Sequence, residues 1–118
     1  MNAARFTKRA RLLSAAQFDV AFKQGRRITV GQFTTVIAAN PLTHARLGFA
    51  LSKKHAARAV DRNRARRLLR ERFRLSQAQL VPVDLVIMLR GKLPAEPQAV
   101  TAAVDALWQQ VMSRCKSS

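Results

Sequence analysis

Between Lys53 and Arg74, ten Lys and Arg residues stand against two carboxylates, Asp61 and Glu71, so these 22 residues carry +8 of the chain's +16. On a helix, Arg62, Arg66, Arg70 and Arg74 form an i+4 row at intervals of ~6 Å, a strip about 18 Å long. Arg67 flanks that row and Arg64 projects further round. A merely solvated helix face usually alternates sign, because like charges four apart cost a few tenths of a kcal/mol each. Here only Glu71 can offset the row locally, so the pattern points to a polyanionic partner. The residue type agrees, since the planar guanidinium bonds phosphate bidentately and stacks on bases. Asn63, between two arginines, offers a directional donor and acceptor that suits a sugar or base edge, and equally a helix cap or a core-facing hydrogen bond.

Other chemistries lack their groups. An autonomous nuclease needs clustered carboxylates for metal ions or a His base, and the six acidic residues are scattered along the chain. His44 and His55 lie 11 positions apart with no carboxylate at ligand spacing, which suggests neither a zinc site nor a His-centred triad. A single cysteine, Cys115, can form no internal disulfide and no cysteine-based metal site. No apolar run of ~18 residues could span a bilayer, and Arg5, Lys8, Arg9 and Arg11 precede an amphipathic segment rather than a signal peptide. The expectation is a cytoplasmic protein without a membrane partner.

The elements that must position the basic row follow from periodicity. At 118 residues and 48% hydrophobic content the chain suits one folded domain. Ser14 with Gln17 reads as a capping box, Gly25 as the stop, and Phe18 and Phe22 between them stack on one helix face. Ile28 to Ala39 reads as a strand closed by Asn40-Pro41, and Arg46 to Ser52 as a second strand paired antiparallel with it in a β-hairpin. About Ala57 to Leu75 is helical, with Ala65, Leu68, Leu69 and Phe73 on its buried stripe. Val83 to Leu89 is a near-continuous apolar run, the pattern of a strand covered on both faces. Val100, Ala103, Val104, Leu107, Trp108, Val111 and Met112 then follow helical spacing after Pro94 and Pro97. The order helix, hairpin, basic helix, strand, helix predicts an α+β sandwich.

The segment from Ala59 to Glu71, built around Arg62-Asn63-Arg64, resembles the signature helix of the bacterial ribonuclease P protein component. The preceding Leu47 to Lys54 is similar to the strand leading into it, and Phe18-x-x-x-Phe22-x-x-Gly25 to that family's first helix. Three blocks in the right order make the match specific, and it covers nearly the whole chain. The resemblance implies three helices on a four-stranded mixed sheet in the order α-β-β-β-α-β-α, related to a ribosomal-protein domain, with a left-handed crossover around the basic helix. The extra strand would come from Arg26 to Val30. It also implies one domain over residues 1–118, with a mobile N-terminal arm over about 1–11 and a C-terminal tail over about 114–118.

By the same resemblance the protein is the non-catalytic subunit of a ribonucleoprotein endonuclease. Its RNA carries out Mg2+-dependent removal of the 5′ leader from precursor tRNA, and the protein itself holds no cofactor. Lys53, Lys54, Arg58, Arg62, Asn63, Arg64, Arg66, Arg67 and Arg70 would face the catalytic RNA. Phe18 and Phe22 would line a cleft between the first helix and the sheet for the single-stranded leader, although their spacing alone fits core packing too. The family often places a tyrosine on the sheet wall of that cleft, and this chain has no Tyr. No obligate protein partner is expected. A structural RNA-binding protein of ribosomal type is the alternative that charge and fold equally permit.

Overall fold

The computed structural model describes residues 15–51 and 58–116, with side chains in the first helix from residue 20 onward. Helix α1 (Ala15–Gln24) ends where Gly25 N–H donates to the Ala21 carbonyl at 2.7 Å. Glycine is required there by space, since a Cβ would lie 2.4 Å from Val36 Cγ1 and 2.5 Å from the Ala21 oxygen. The proposed cap at Ser14 lies outside the described residues.

Strands β1 (Arg26–Val30) and β2 (Phe33–Ala39) form a hairpin with Val30 opposite Phe33. The single strand expected over Ile28 to Ala39 is thus two. Gly31, at φ +58°, makes the two-residue turn between them, a conformation that glycine adopts without steric cost. The strand implied at Arg26 to Val30 is present.

Strand β3 (Arg46–Ala50) does not pair with β2, which corrects the hairpin expected there. The sheet order is β1-β2-β4-β3, with β4 (Val83–Leu89) antiparallel to β2 and parallel to β3. β2 and β3 therefore run in opposite directions, as expected, but β4 lies between them. Crossing two strand spacings covers only ~10 Å, well within reach of the connection from Asn40 to Ala45. The central place of β4 is what its apolar run requires, since every residue but Met88 is buried.

Helix α2 (Ala59–Ser76) joins β3 to β4, and a 3-10 turn (Gln77–Gln79) follows it. Helix α3 (Pro97–Cys115) begins with Pro97 in its first turn, where the missing N–H costs nothing. α2 and α3 share one face of the sheet. There Ala65, Leu69 and Phe73 of α2 and Val100, Val104, Leu107, Trp108 and Val111 of α3 pack on Phe33, Leu47, Leu85, Ile87 and Leu89. At about 1.5–3 kcal/mol for each large side chain fully buried, this cluster is the main source of stability. Phe73 and Trp108 meet edge to face at 6.4 Å, and the Trp108 indole donates to Ser76 Oγ at 3.1 Å.

At the C-terminus the helix runs to Cys115, whose carbonyl accepts from Val81 N–H at 2.8 Å, and Lys116 bridges to Leu80. Two residues, 117–118, and the expected N-terminal arm lie outside the described residues.

At the end of the sheet, Arg46 and Asp84 face each other in register across β3 and β4. Nε and Nη2 of Arg46 donate to the two carboxylate oxygens at 2.8 and 2.7 Å, with side chains only 11% and 8% exposed. Asn40 Nδ2 donates to the same carboxylate at 2.9 Å, and its Oδ1 accepts from Leu42 N–H, so the β2–β3 connection is tied to the pair.

Candidate nucleic-acid interface

Helix α2 turns Ala65, Leu69 and Phe73 inward, and this choice fixes what points outward. Asn63, Arg66, Arg67 and Arg70 stand at i, i+3, i+4 and i+7, the helical spacing of a single face. Together with Val60 and Arg64 they line a shallow groove of about 450 Å³. Arg66 Nη1 donates to Oδ1 of the exposed Asn63 at 3.1 Å. Val60, half exposed, adds an apolar contact at one end.

The i+4 row read from the sequence is divided by its ion pairs. Arg74 is held by Glu71 at 2.6 Å, and Arg72 by Asp105 of α3 at 2.7 Å. Arg58 chelates Asp61 at 2.9 and 3.0 Å, with Arg64 at 3.9 Å from the same carboxylate. The hydrogen bond from Arg58 holds the Asp61 carboxyl below its usual range, and that from Arg74 does the same for Glu71. Both carboxylates stay charged at neutral pH and offset the ends of the helix, whereas Arg66, Arg67 and Arg70 stand on its middle. Arg62 is half-buried and makes contacts of its own. Lys53 and Lys54 lie outside the described residues.

Among the described residues, the opposite face of the sheet is covered by α1 alone. Ala21 packs there against Val36, Ala38 and Val86, with Phe22 and Met88 at the margin. Val36 is fully buried, so the sheet under this helix is aliphatic. Phe22 is half-buried and the guanidinium carbon of Arg27 stands 5.9 Å from its ring centre, a cation over an aromatic face. Beyond the helix the same face shows Thr29, Thr34, Met88 and Ala50 side by side, in register across all four strands. Thr29 and Ala50 are exposed, Thr34 and Met88 partly so, and the two threonine hydroxyls are 3.1 Å apart. Beside α1 the sheet therefore presents small side chains, hydroxyls and a methionine, with the Phe22 ring and the Arg27 cation at its margin, where the resemblance places the cleft. The side chain of Phe18 lies outside the described residues.

Arg27, the threonine pair and Met88 were not among the residues expected beside Phe22. The signal for Arg27 and the threonines was alternation within β1 and β2, which is readable for β1 only once Gly31 is taken as a turn, whereas Met88 comes to this face through the pairing of β4 with β2. Among the described residues no three His, Cys, Asp or Glu side chains come together as a metal site. Burial pushes the Cys115 thiol up, as suits a core side chain rather than a nucleophile.

Residues 6–112 match the family model described as Ribonuclease P. A protein of Methylococcus capsulatus named Ribonuclease P protein component is 40% identical over 114 residues, spanning 96% of this chain and 89% of that one. The solved structure of the Staphylococcus aureus RNase P protein aligns with a TM-score of 0.74 at 25% identity, covering 86% of this chain and 94% of the other. That of the Thermotoga maritima RNase P protein gives 0.68 at 25%, covering 85% and 96%.

Proposed function

Because the chain belongs to the ribonuclease P protein family, we propose that it binds the catalytic RNA along the outer face of α2 and the 5′ leader of precursor tRNA in the cleft beside α1. The observation that carries this reading is the Asn63, Arg66, Arg67 and Arg70 face, where cations are gathered on one side of a helix whose other side is core. Guanidinium groups so placed suit the phosphates and sugars of a folded RNA, and each phosphate neutralised releases counterions.

In this division of labour the RNA carries out the Mg2+-dependent hydrolysis and the protein supplies affinity and charge. A +16 protein lowers the repulsion between catalytic RNA and substrate, which magnesium would otherwise have to screen. In the cleft, Phe22 offers a ring for base stacking, a contact worth roughly 1–3 kcal/mol per base and tolerant of sequence. Such tolerance suits leaders of varied sequence, and the contact is lost once the leader is cut away. The setting is the cytoplasm, in keeping with the absence, among the described residues, of any helix long and apolar enough to cross a membrane.

The reading is tested by recovering the tagged protein from its own cells. Co-purification with one discrete RNA, and with precursor rather than mature tRNA, is expected. Sedimentation with ribosomes instead would replace it by a structural ribosomal role.

A further inference from the structure

A second cationic groove lies away from α2. The edge strand β1 and the C-terminal half of α3 enclose about 520 Å³ lined by Arg27, Ile28, Thr29, Val30, Gln110 and Arg114. Arg27, Thr29, Gln110 and Arg114 are exposed, and Arg26 and Lys116 stand nearby on the same strand and helix end. The described carboxylates are all engaged or placed elsewhere: Asp61 and Glu71 on α2, Asp84 with Arg46, Asp105 with Arg72, and Glu96 at the far end of α3.

Charge on an edge strand has a plain use in preventing strand pairing between molecules. That use accounts for Arg26 and Arg27, but not for Arg114 on the facing helix wall. Two guanidinium groups lining one groove repel each other, and an anion between them removes that repulsion. The backbone fits the same ligand. With Val30 and Phe33 flanking a two-residue turn, the ladder alternates so that Arg27 and Thr29 direct both N–H and C=O away from β2, on an edge where no described strand pairs, and the N–H groups are there to donate to an anion.

Arg27 belongs to both sites, since it lies over Phe22 in the cleft and also lines this groove. We propose that the β1–α3 groove continues the leader path beyond the cleft and holds the phosphodiester backbone of the 5′-distal leader nucleotides. This rests on the reading of the cleft as the leader site. The floor of the cleft leads outward along Thr34 and Thr29 to the β1 edge, and the chain of phosphates would pass Arg27 before reaching Gln110 and Arg114. The groove offers cations, an amide and backbone N–H groups but no described aromatic ring, so it reads backbone rather than bases.

The experiment measures the affinity of reconstituted holoenzyme for precursor tRNAs whose leaders are shortened one nucleotide at a time, beside mature tRNA. The variants are Arg114→Ala and Gln110→Glu, both exposed positions whose melting temperature is compared with wild type. The expected result is a loss of about three- to tenfold, confined to leaders long enough to leave the cleft, with the magnitude of the salt slope reduced by ~0.7 for Arg114→Ala. Arg114→Lys, which keeps the charge, should recover most of the affinity. An equal loss for long leaders, short leaders and mature tRNA would place this surface against another part of the complex and overturn the proposal, as would no loss at all. Failure of the underlying reading is seen separately, as a wild-type holoenzyme that does not distinguish a short leader from none.

Discussion

The guanidinium carbon of Arg70 stands 5.6 Å from the ring centre of Phe49, so an outward-facing arginine of α2 is seated on a side chain of β3. The contact separates Arg70 from its neighbours on the same face. An exposed cation over an aromatic ring contributes about 0.5–1 kcal/mol, so Arg70→Ala should lower thermal stability slightly as well as affinity for the catalytic RNA. Arg67→Ala should leave the melting temperature unchanged and reduce the magnitude of the RNA-binding salt slope by ~1. Arg72→Ala, which mainly breaks the partly exposed pair with Asp105, should cost no more than about 1 kcal/mol of stability and leave the slope alone. Melting curves and binding titrations at several salt concentrations check all three. The same slope for Arg67→Ala and wild type would remove the α2 face from the RNA contact.

Phe18→Ala and Phe22→Ala should weaken holoenzyme binding to precursor tRNA by about 1–3 kcal/mol, the value of one stacked base. Mature tRNA, which lacks the leader, should bind as before. Because Phe22 is half-buried against α1's own cluster, the comparison between the two substrates is the decisive control. Equal losses would mark a packing defect and no leader contact.

The basic helix, the boundaries of β4 and the closing helix were legible because each rests on a local pattern: a charge run, an unbroken apolar run, and apolar positions at helical spacing. The pairing of β3 was not, because a short loop between two strands suggests a hairpin and says nothing of a later strand inserted between them. Val83 to Leu89 did hold the missing clue. A strand buried on both faces belongs inside a sheet with a neighbour on each side, and the strands read at Ile28 to Ala39 and Arg46 to Ser52 were the candidates available. Within the site, the arginine row and its one local offset, Glu71, were legible, but the pairing of Arg72 was not, because Asp105 approaches it from a helix more than thirty residues away. The seat of Arg70 on Phe49 was hidden for the same reason.

Gly25→Ala should be among the most damaging small substitutions in the chain. The added carbon would fall within contact-forbidden distance of Val36 Cγ1 and the Ala21 carbonyl, and overpacking of this kind costs about 1–3 kcal/mol. The strain falls on the junction of α1 with the sheet, so the variant should lose discrimination between precursor and mature tRNA more readily than affinity for the catalytic RNA. Denaturant unfolding and the two binding assays test this. A variant as stable as wild type would contradict the close approach.

Asp84→Asn leaves the largely buried Arg46 without its counter-charge, and removing one partner of a buried pair typically costs about 3–5 kcal/mol. The loss should be greater than for Glu71→Gln on the exposed side of α2, where the pair with Arg74 is screened by solvent. Chemical denaturation of the two variants side by side supplies the comparison. Equal stabilities would mean that the Arg46–Asp84 pair adds nothing to the joining of β3 and β4.

The central claim, that this protein gives affinity and charge while RNA performs the hydrolysis, is tested most directly by cleavage of precursor tRNA in three parallel reactions at low magnesium. One contains the cognate RNA alone, one the protein alone after nuclease removal of any bound RNA and inactivation of that nuclease, and one both. The account predicts site-specific release of the leader only in the third reaction, with the RNA alone becoming active when magnesium is raised. Cleavage at the tRNA 5′ end by the RNA-free protein would contradict it and place the chemistry in the protein itself.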